Sequence, residues 1–205
     1  MIKAVVFDVG NVLLEWHPTR LFDAEIGEDR RKRLFAEVVL QSMNLNVDRG
    51  APFKETVFAM ADAHPQWAAE IRLWHDRWLD MASPAIPHSV RLMSALQAAG
   101  VPVFSLTNFG VETYDFAAGH YPFLTQFDRD FISGHLKVIK PEAKIYEILE
   151  EESGLSGADL LFTDDSPKNI KAAAGRGWNT HLFEGPQGWA DRLVSEGLLT
   201  PEAAA

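Results

Sequence analysis

The sequence predicts an α/β fold: a parallel sheet with helices on both faces, carrying an inserted α-helical segment. Three observations lead there. Five short apolar runs are separated by helix-length patterns, the alternation expected of a parallel sheet. The runs are apolar almost throughout, as strands covered on both faces are. Residues 18–83, by contrast, are helical in pattern with no convincing strand, too long for a simple crossover.

Taken in order, Ile2–Phe7 is the first strand, and Asp8 leaves it at the carboxyl edge, where Gly10 permits a tight turn. Pro18 opens the insertion and Pro84 with Pro87 closes it. Between them Arg30–Leu45, Pro52–Ala63 and Pro65–Asp80 are each long enough for one helix. Ile71, Trp74 and Trp78 recur at helical spacing and are expected to form the core of this insertion. The helix Ser89–Ala99 precedes a second strand, Val101–Leu106, followed by Thr107-Asn108 and another helical pattern. A third strand spans Phe127–Ile132; Lys140 then stands before Pro141 and the helix Glu142–Glu152. The fourth strand, Leu160–Thr163, runs into Asp164-Asp165 and the helix Pro167–Ala174, and Thr180–Phe183 is the fifth. The expected division is a core of residues 1–17 and 84–200, a helical insertion over 18–83, and a flexible tail over 201–205.

Composition narrows the function. The 205 residues, 47% apolar, suffice for one core domain that buries roughly 71% of its unfolded surface. With no cysteine, a disulfide scaffold, a zinc finger, a thiol nucleophile and iron–sulfur ligation are excluded. The same lack suits a reducing compartment, and a cytoplasmic location is expected. No run approaches the roughly 18 apolar residues of a membrane span, and Asp8 interrupts the opening run too early for a signal peptide. A net charge of -10 disfavours nucleic acid as a partner without excluding a small phosphate. The basic run Arg30–Arg33, flanked by Glu28, Asp29 and Glu37, reads as a solvated helix face. The histidines show no HxH or HExxH spacing, and neither a dinucleotide fingerprint nor a Walker A loop is present. Nothing in the sequence sets the oligomeric state.

Four groups of residues follow strands or open helices, and each alone has an ordinary reading. Asp8 is a loop acid; Thr107-Asn108 is a helix N-cap or an anion grip. Lys140, held extended by Pro141, is a loop lysine able to aim at the sheet edge. Asp164 and Asp165 repel each other unless hydrogen bonds, a helix dipole or a hard cation such as Mg2+ compensates. What carries weight is their order, because all four converge on one edge of the sheet.

In that order they stand as FDVGNVL (Phe7–Leu13), SLTN (Ser105–Asn108), Lys140-Pro141 and FTDDSPKN (Phe162–Asn169). From Ile2 to about Leu193 the sequence resembles the haloacid dehalogenase-like hydrolase superfamily. The resemblance implies a Rossmann-like core with a helical cap over residues 18–83, and an aspartyl-phosphate mechanism. It makes Asp8 the nucleophile, with Mg2+ held by Asp8, the Gly10 carbonyl and Asp165. Thr107, Asn108 and Lys140 would hold the phosphoryl group, while Asp164 and Asn169 orient the metal or its waters. The FDVGNVL variant looks closest to the branch of sugar-phosphate phosphatases and epoxide-hydrolase-type amino-terminal domains, so a small phosphorylated metabolite is the expected substrate. One departure stands out: most phosphatases of the superfamily carry an acid/base Asp where this chain has Gly10. Either the leaving group needs no proton, or another acid such as Glu15, His17 or a cap residue substitutes, or the protein binds phosphate without turning it over. A 2-haloacid dehalogenase also needs no acid, but that pattern has Tyr in place of Gly10 and lacks the close acidic pair.

Overall fold

Alternate residues of Ala4-Val5-Val6-Phe7 are buried on opposite sides of one sheet, so both faces need a cover. The computed structural model describes all residues 1–205. Strands β1 (Ala4–Phe7), β2 (Val103–Thr107), β3 (Arg129–Ile132), β4 (Leu160–Asp164) and β5 (Asn179–Leu182) form one sheet in the order β3-β2-β1-β4-β5. Every pairing is parallel, with Val5 opposite Val103 and Leu161. The central three strands are buried along their whole length, as the apolar runs predict. The edge strands are not: Arg129 and Asp130 of β3 are exposed and β5 is half-buried, because each has a neighbour on one side only.

The insertion consists of α1 (Pro18–Ile26), α2 (Glu28–Glu37), α3 (Leu40–Asp48), α4 (Phe53–Ala63), α5 (Ala68–Asp76) and α6 (Trp78–Met81). The single helix expected over Arg30–Leu45 is two, because Val38 adopts an extended backbone (φ -120, ψ 125). Two adjacent β-branched residues, Val38 and Val39, pay for helix with lost χ1 freedom and make this the weak point. Likewise Pro65–Asp80 divides into a 3-10 turn (Pro65–Trp67), α5 and α6, with the break at Arg77. Entry and exit run side by side: Ile86 N–H bonds the Leu13 carbonyl at 2.8 Å, Glu15 N–H the Pro84 carbonyl at 3.0 Å, and His17 N–H the Met81 carbonyl at 2.8 Å. That stem hangs the helices over the carboxyl edge of the sheet. Ile71, Trp74 and Trp78 are buried, though not in a core of the insertion's own: one hydrophobic cluster runs from them to Val5 and Phe7. Three of the four basic residues on α2 are matched within the chain, Arg31 with Asp23 (2.8 Å), Lys32 with Glu28 (2.6 Å) and Arg30 with Glu70, while Arg33 lies over the Trp67 ring.

The rest of the chain adds α7 (Pro87–Ala98), α8 (Val111–His120), the single turn α9 (Ser133–Leu136), α10 (Ala143–Ser153), α11 (Pro167–Gly175) and α12 (Pro186–Ser195). Leu92 and Leu96 of α7 and Trp189 and Leu193 of α12 cover the Val5/Phe7 face, with Phe7 and Trp189 edge to face at 5.6 Å. Ile145, Tyr146 and Leu149 of α10 and Ala173 of α11 cover the Ala4/Val6 face. The closing segment, expected to be a flexible tail, is instead packed: Ala204 is 4% exposed, and its carbonyl accepts a hydrogen bond from His88 at 2.8 Å. No helix is long and apolar enough to cross a membrane.

Candidate active site

The chain builds outward from β1 through β2 to β3, then returns to β4 on the other flank of β1. Strand order therefore reverses between β1 and β4, and a crevice opens there at the carboxyl ends. Asp8 follows β1, Asp164 ends β4 and Asp165 comes next. A cavity of about 470 Å³ occupies this position. From the sheet edge it is lined by Asp8, Gly10, Thr107, Asn108, Lys140, Asp165 and Asn169; from the stem and insertion come Trp16, Asn44, Asp48 and Trp78. Of the site residues expected from the sequence, Asp164 alone lies beneath the lining, fully buried.

Charge organises the floor. Lys140, 2% exposed, places Nζ 2.9 Å from Asp8 Oδ1 and donates to Asp164 Oδ2 at 2.6 Å. Asp164 also accepts from the Ser166 N–H at 2.7 Å and from Asn169 Nδ2 at 3.1 and 3.0 Å, so its carboxylate is fully engaged within the protein. Asp165 takes one bond, from Asn11 Nδ2 at 2.8 Å. No local pattern marks Asn11; it adopts a left-handed backbone (φ 55) and its Oδ1 accepts from the Trp16 N–H at 2.9 Å, so it ties the loop after β1 to the end of β4. Burial pushes the Asp8 carboxyl up, Lys140 opposing and Asp164 and Asp165 adding to the rise. Burial likewise raises Asp165, with Asn11 opposing. Burial works against the Lys140 charge, but Asp164 and Asp8 outweigh it and hold the ammonium above the usual lysine range.

Oxygens of Asp8, Asp164 and Asp165 lie within 4.8 Å of one another, and three carboxylates against one ammonium leave a formal excess of two negative charges. An all-oxygen donor set with that excess, open to a cavity, fits a hard divalent cation. Asp8 and Asp165 line the cavity and each keeps one carboxylate oxygen without a hydrogen bond in the protein, whereas both oxygens of Asp164 are occupied.

Thr107 ends β2 with its hydroxyl free of protein partners and on the cavity wall. Asn108 differs from expectation. Its Oδ1 accepts from the Lys140 N–H at 2.7 Å and its Nδ2 donates to the Lys140 carbonyl at 3.0 Å, so the side chain clamps the lysine loop rather than pointing freely at an anion. Its backbone N–H has no partner in the protein and remains available. Buried Ser133, which no local pattern marks, braces the loop after β2 by accepting from the Phe109 N–H at 2.8 Å.

The raised carboxyls predict a pH dependence of stability in metal-free protein. A carboxyl whose folded pKa exceeds its unfolded value stabilises the fold below the unfolded pKa and loses that contribution as pH rises through the folded one. Asp8 and Asp48 each rise from 3.8 to about 7, so the melting temperature should fall between about pH 4 and 7. Added Mg2+ should recover part of the loss at pH 7 but little at pH 4; melting curves with EDTA and with Mg2+ check this.

The family model for haloacid dehalogenase-like hydrolases matches residues 2–177. A sesquiterpene phosphatase of Aspergillus oryzae is 24% identical over 180 residues, covering 83% of this chain and 84% of that protein. A drimenol cyclase of Aspergillus calidoustus is 20% identical over 190 residues, 89% of this chain; the chain spans only 34% of that protein's length. Among solved structures, a haloacid dehalogenase (HAD) family enzyme of Bacteroides thetaiotaomicron superposes with a TM-score of 0.74 at 20% identity, covering 94% of this chain and 98% of the other. The same enzyme has been solved with magnesium and inorganic phosphate. The L-2-haloacid dehalogenase of Xanthobacter autotrophicus, with chloropropionic acid covalently bound, superposes at 0.62 with 19% identity, covering 97% and 85%. At such identities the structural likeness speaks for the fold.

Proposed function

The chain belongs to the haloacid dehalogenase-like hydrolase family, and on that premise we propose that it is a Mg2+-dependent phosphatase of a small phosphorylated metabolite. The observation carrying this reading is the juxtaposition of Asp8, Lys140 and Asp165 at the floor of one cavity. Asp8 attacks phosphorus, the ester P–O bond breaks, and an aspartyl-phosphate forms that water hydrolyses, so one hard displacement becomes two easier ones. Lys140 holds Asp8 in place and offers its ammonium to the phosphoryl oxygens; the Thr107 hydroxyl and the Asn108 N–H complete their cradle. Asp164 and Asn169 fix Lys140, and Asn108 fixes its backbone. Asp8, Asp165 and the Gly10 carbonyl would hold Mg2+, whose charge would offset that of the phosphoryl group. Helices α1 to α6 act as a cap. The three clustered carboxylates favour this reading over metal-free dehalogenation.

The cap also speaks to the alcohol half of the substrate. A second cavity, of about 590 Å³, adjoins the first: Trp16, Asn44 and Leu45 line both. Its wall is largely apolar, with Phe35, Val38, Val39, Leu40 and Trp74. Val39 and Leu45 are 66% and 43% exposed, unusual for their types. Together with a relative named a sesquiterpene phosphatase, this supports an apolar alcohol rather than a sugar. The test is a phosphate-release panel with and without Mg2+, spanning alkyl and prenyl phosphates, sugar 1-phosphates and sugar 6-phosphates, with chloride release from 2-chloropropionate as the dehalogenase arm. Each methylene buried is worth about 0.8 kcal/mol, so kcat/KM should climb roughly fourfold per carbon along an alkyl series. Metal-independent chloride release without phosphate release would overturn the proposal.

A further inference from the structure

Gly10 leaves the leaving-group oxygen without the proton donor that an alkoxide needs, and the carboxyls lining the cavity outside the metal cluster are only Glu15 and Asp48. Glu15 is committed to Arg20 at 2.7 Å. His17 lines the second cavity and not this one, and it is half-exposed. Asp48, the last residue of α3, is 9% exposed and has no cationic partner. Its Oδ2 accepts from Asn44 Nδ2 at 3.0 Å, whereas Oδ1 makes no hydrogen bond in the protein, and the residue lines the cavity.

Its position is built with care. The Asp48 carbonyl accepts from Ser133 Oγ at 2.6 Å, and Ser133 Oγ in turn accepts from the Phe109 N–H, so the end of α3 is bolted to the loop after β2. Close approach there depends on missing side chains: a Cβ on Gly110 would strike Val47, and one on Gly50 (φ +89) would strike the Gly134 carbonyl. Arg49 is turned away to Glu142, and Lys137 holds the Gly50 carbonyl at 3.2 Å.

Resting on the phosphatase reading above, we propose that Asp48 is the general acid and base that replaces the side chain absent at Gly10. As the ester P–O bond breaks, the electron pair stays on the leaving oxygen, which takes the Asp48 proton to give the free alcohol. When water then attacks the phosphorus of aspartyl-phosphate, the bond to Asp8 breaks, its electron pair returns to the Asp8 carboxylate, and a water proton returns to Asp48. Burial pushes the Asp48 carboxyl up to about 7, the Asn44 hydrogen bond and the Lys140 charge opposing, so it can hold a proton near neutral pH and release it. The other charged groups around this cavity are Asp8, Asp165, Glu15 and, at the exposed rim, Lys168.

The test compares kcat/KM of wild type and Asp48→Asn on an alkyl phosphate and on nitrophenyl phosphate, whose leaving group departs unprotonated. Because kcat/KM reads the steps through alcohol departure, the alkyl ester should lose about 10²-fold or more while the aryl ester stays within about threefold. Retained aryl activity also shows that the variant folds. Equal losses on both esters, which a structural role produces, or an unchanged alkyl rate would overturn the assignment. A second variant adds an independent readout. A Cβ at Gly10 meets nothing within 4 Å, so Gly10→Asp placed on Asp48→Asn should recover alkyl turnover by at least tenfold; no recovery counts against a lost proton donor. Failure of the phosphatase reading looks different: wild type would then release no phosphate from either ester.

Discussion

Asp8→Asn is expected to lower phosphate release on the order of 10⁴-fold or more on every substrate, the aryl ester included, because the amide cannot form the acyl phosphate. The fold should survive. Asp8 stands among Asp164 and Asp165 in a cluster with two excess negative charges, and its carboxyl is already pushed up by burial. A neutral amide keeps an acceptor for Lys140 and relieves repulsion, so metal-free Asp8→Asn should melt no lower than wild type at pH 7. Activity assays and melting curves on the same preparation separate lost chemistry from lost structure.

Lys140→Ala is expected to do both kinds of damage. The ammonium is buried and lies 2.9 and 2.6 Å from two carboxylates that have no other cationic side chain. Removing one member of a buried charge pair leaves the other uncompensated, which costs about 3–5 kcal/mol. In a chain of this size that corresponds to a melting-point loss of roughly 6–20 °C. Turnover should fall by about 10²–10³-fold through loss of charge compensation at the phosphoryl oxygens, as for loss of a single preorganised donor. Mg2+ should recover some stability in Lys140→Ala, because a cation bound at Asp8 and Asp165 meets part of the same excess charge. Melting curves in EDTA and in Mg2+ check the first effect and phosphate release the second.

What was legible in the sequence follows from what is local. Val5-Val6-Phe7 is too apolar for anything but a covered strand, and an acid straight after it must emerge at the sheet edge, which is where Asp8 stands. Lys140-Pro141 and Asp164-Asp165 carry the same kind of information, a residue type fixed to the end of an element. The Val38–Val39 break is not legible because the apolar spacing on either side fits one helix, and only an extended Val38 interrupts it. Asn108 reads as an anion grip by type; its clamp on the Lys140 backbone depends on a contact 32 residues away. Asp48 gives no signal, since an Asp between two expected helices is ordinary until the structure extends α3 to it and docks that end against Gly110 and Ser133. The packed tail has the same cause, an Ala204 carbonyl meeting His88 across 116 residues.

Covalent transfer to Asp8 is the central claim, and trapping it is the most direct test. Acid quenching during turnover of a radiolabelled phosphate ester, followed by peptide mapping, should place an acid-stable, alkali-labile phosphoryl group on the peptide carrying Asp8. The label should disappear after a chase with unlabelled ester, and should never form on Asp8→Asn. Label on any other residue, or Asp8→Asn protein that still takes up label and turns over, would contradict it.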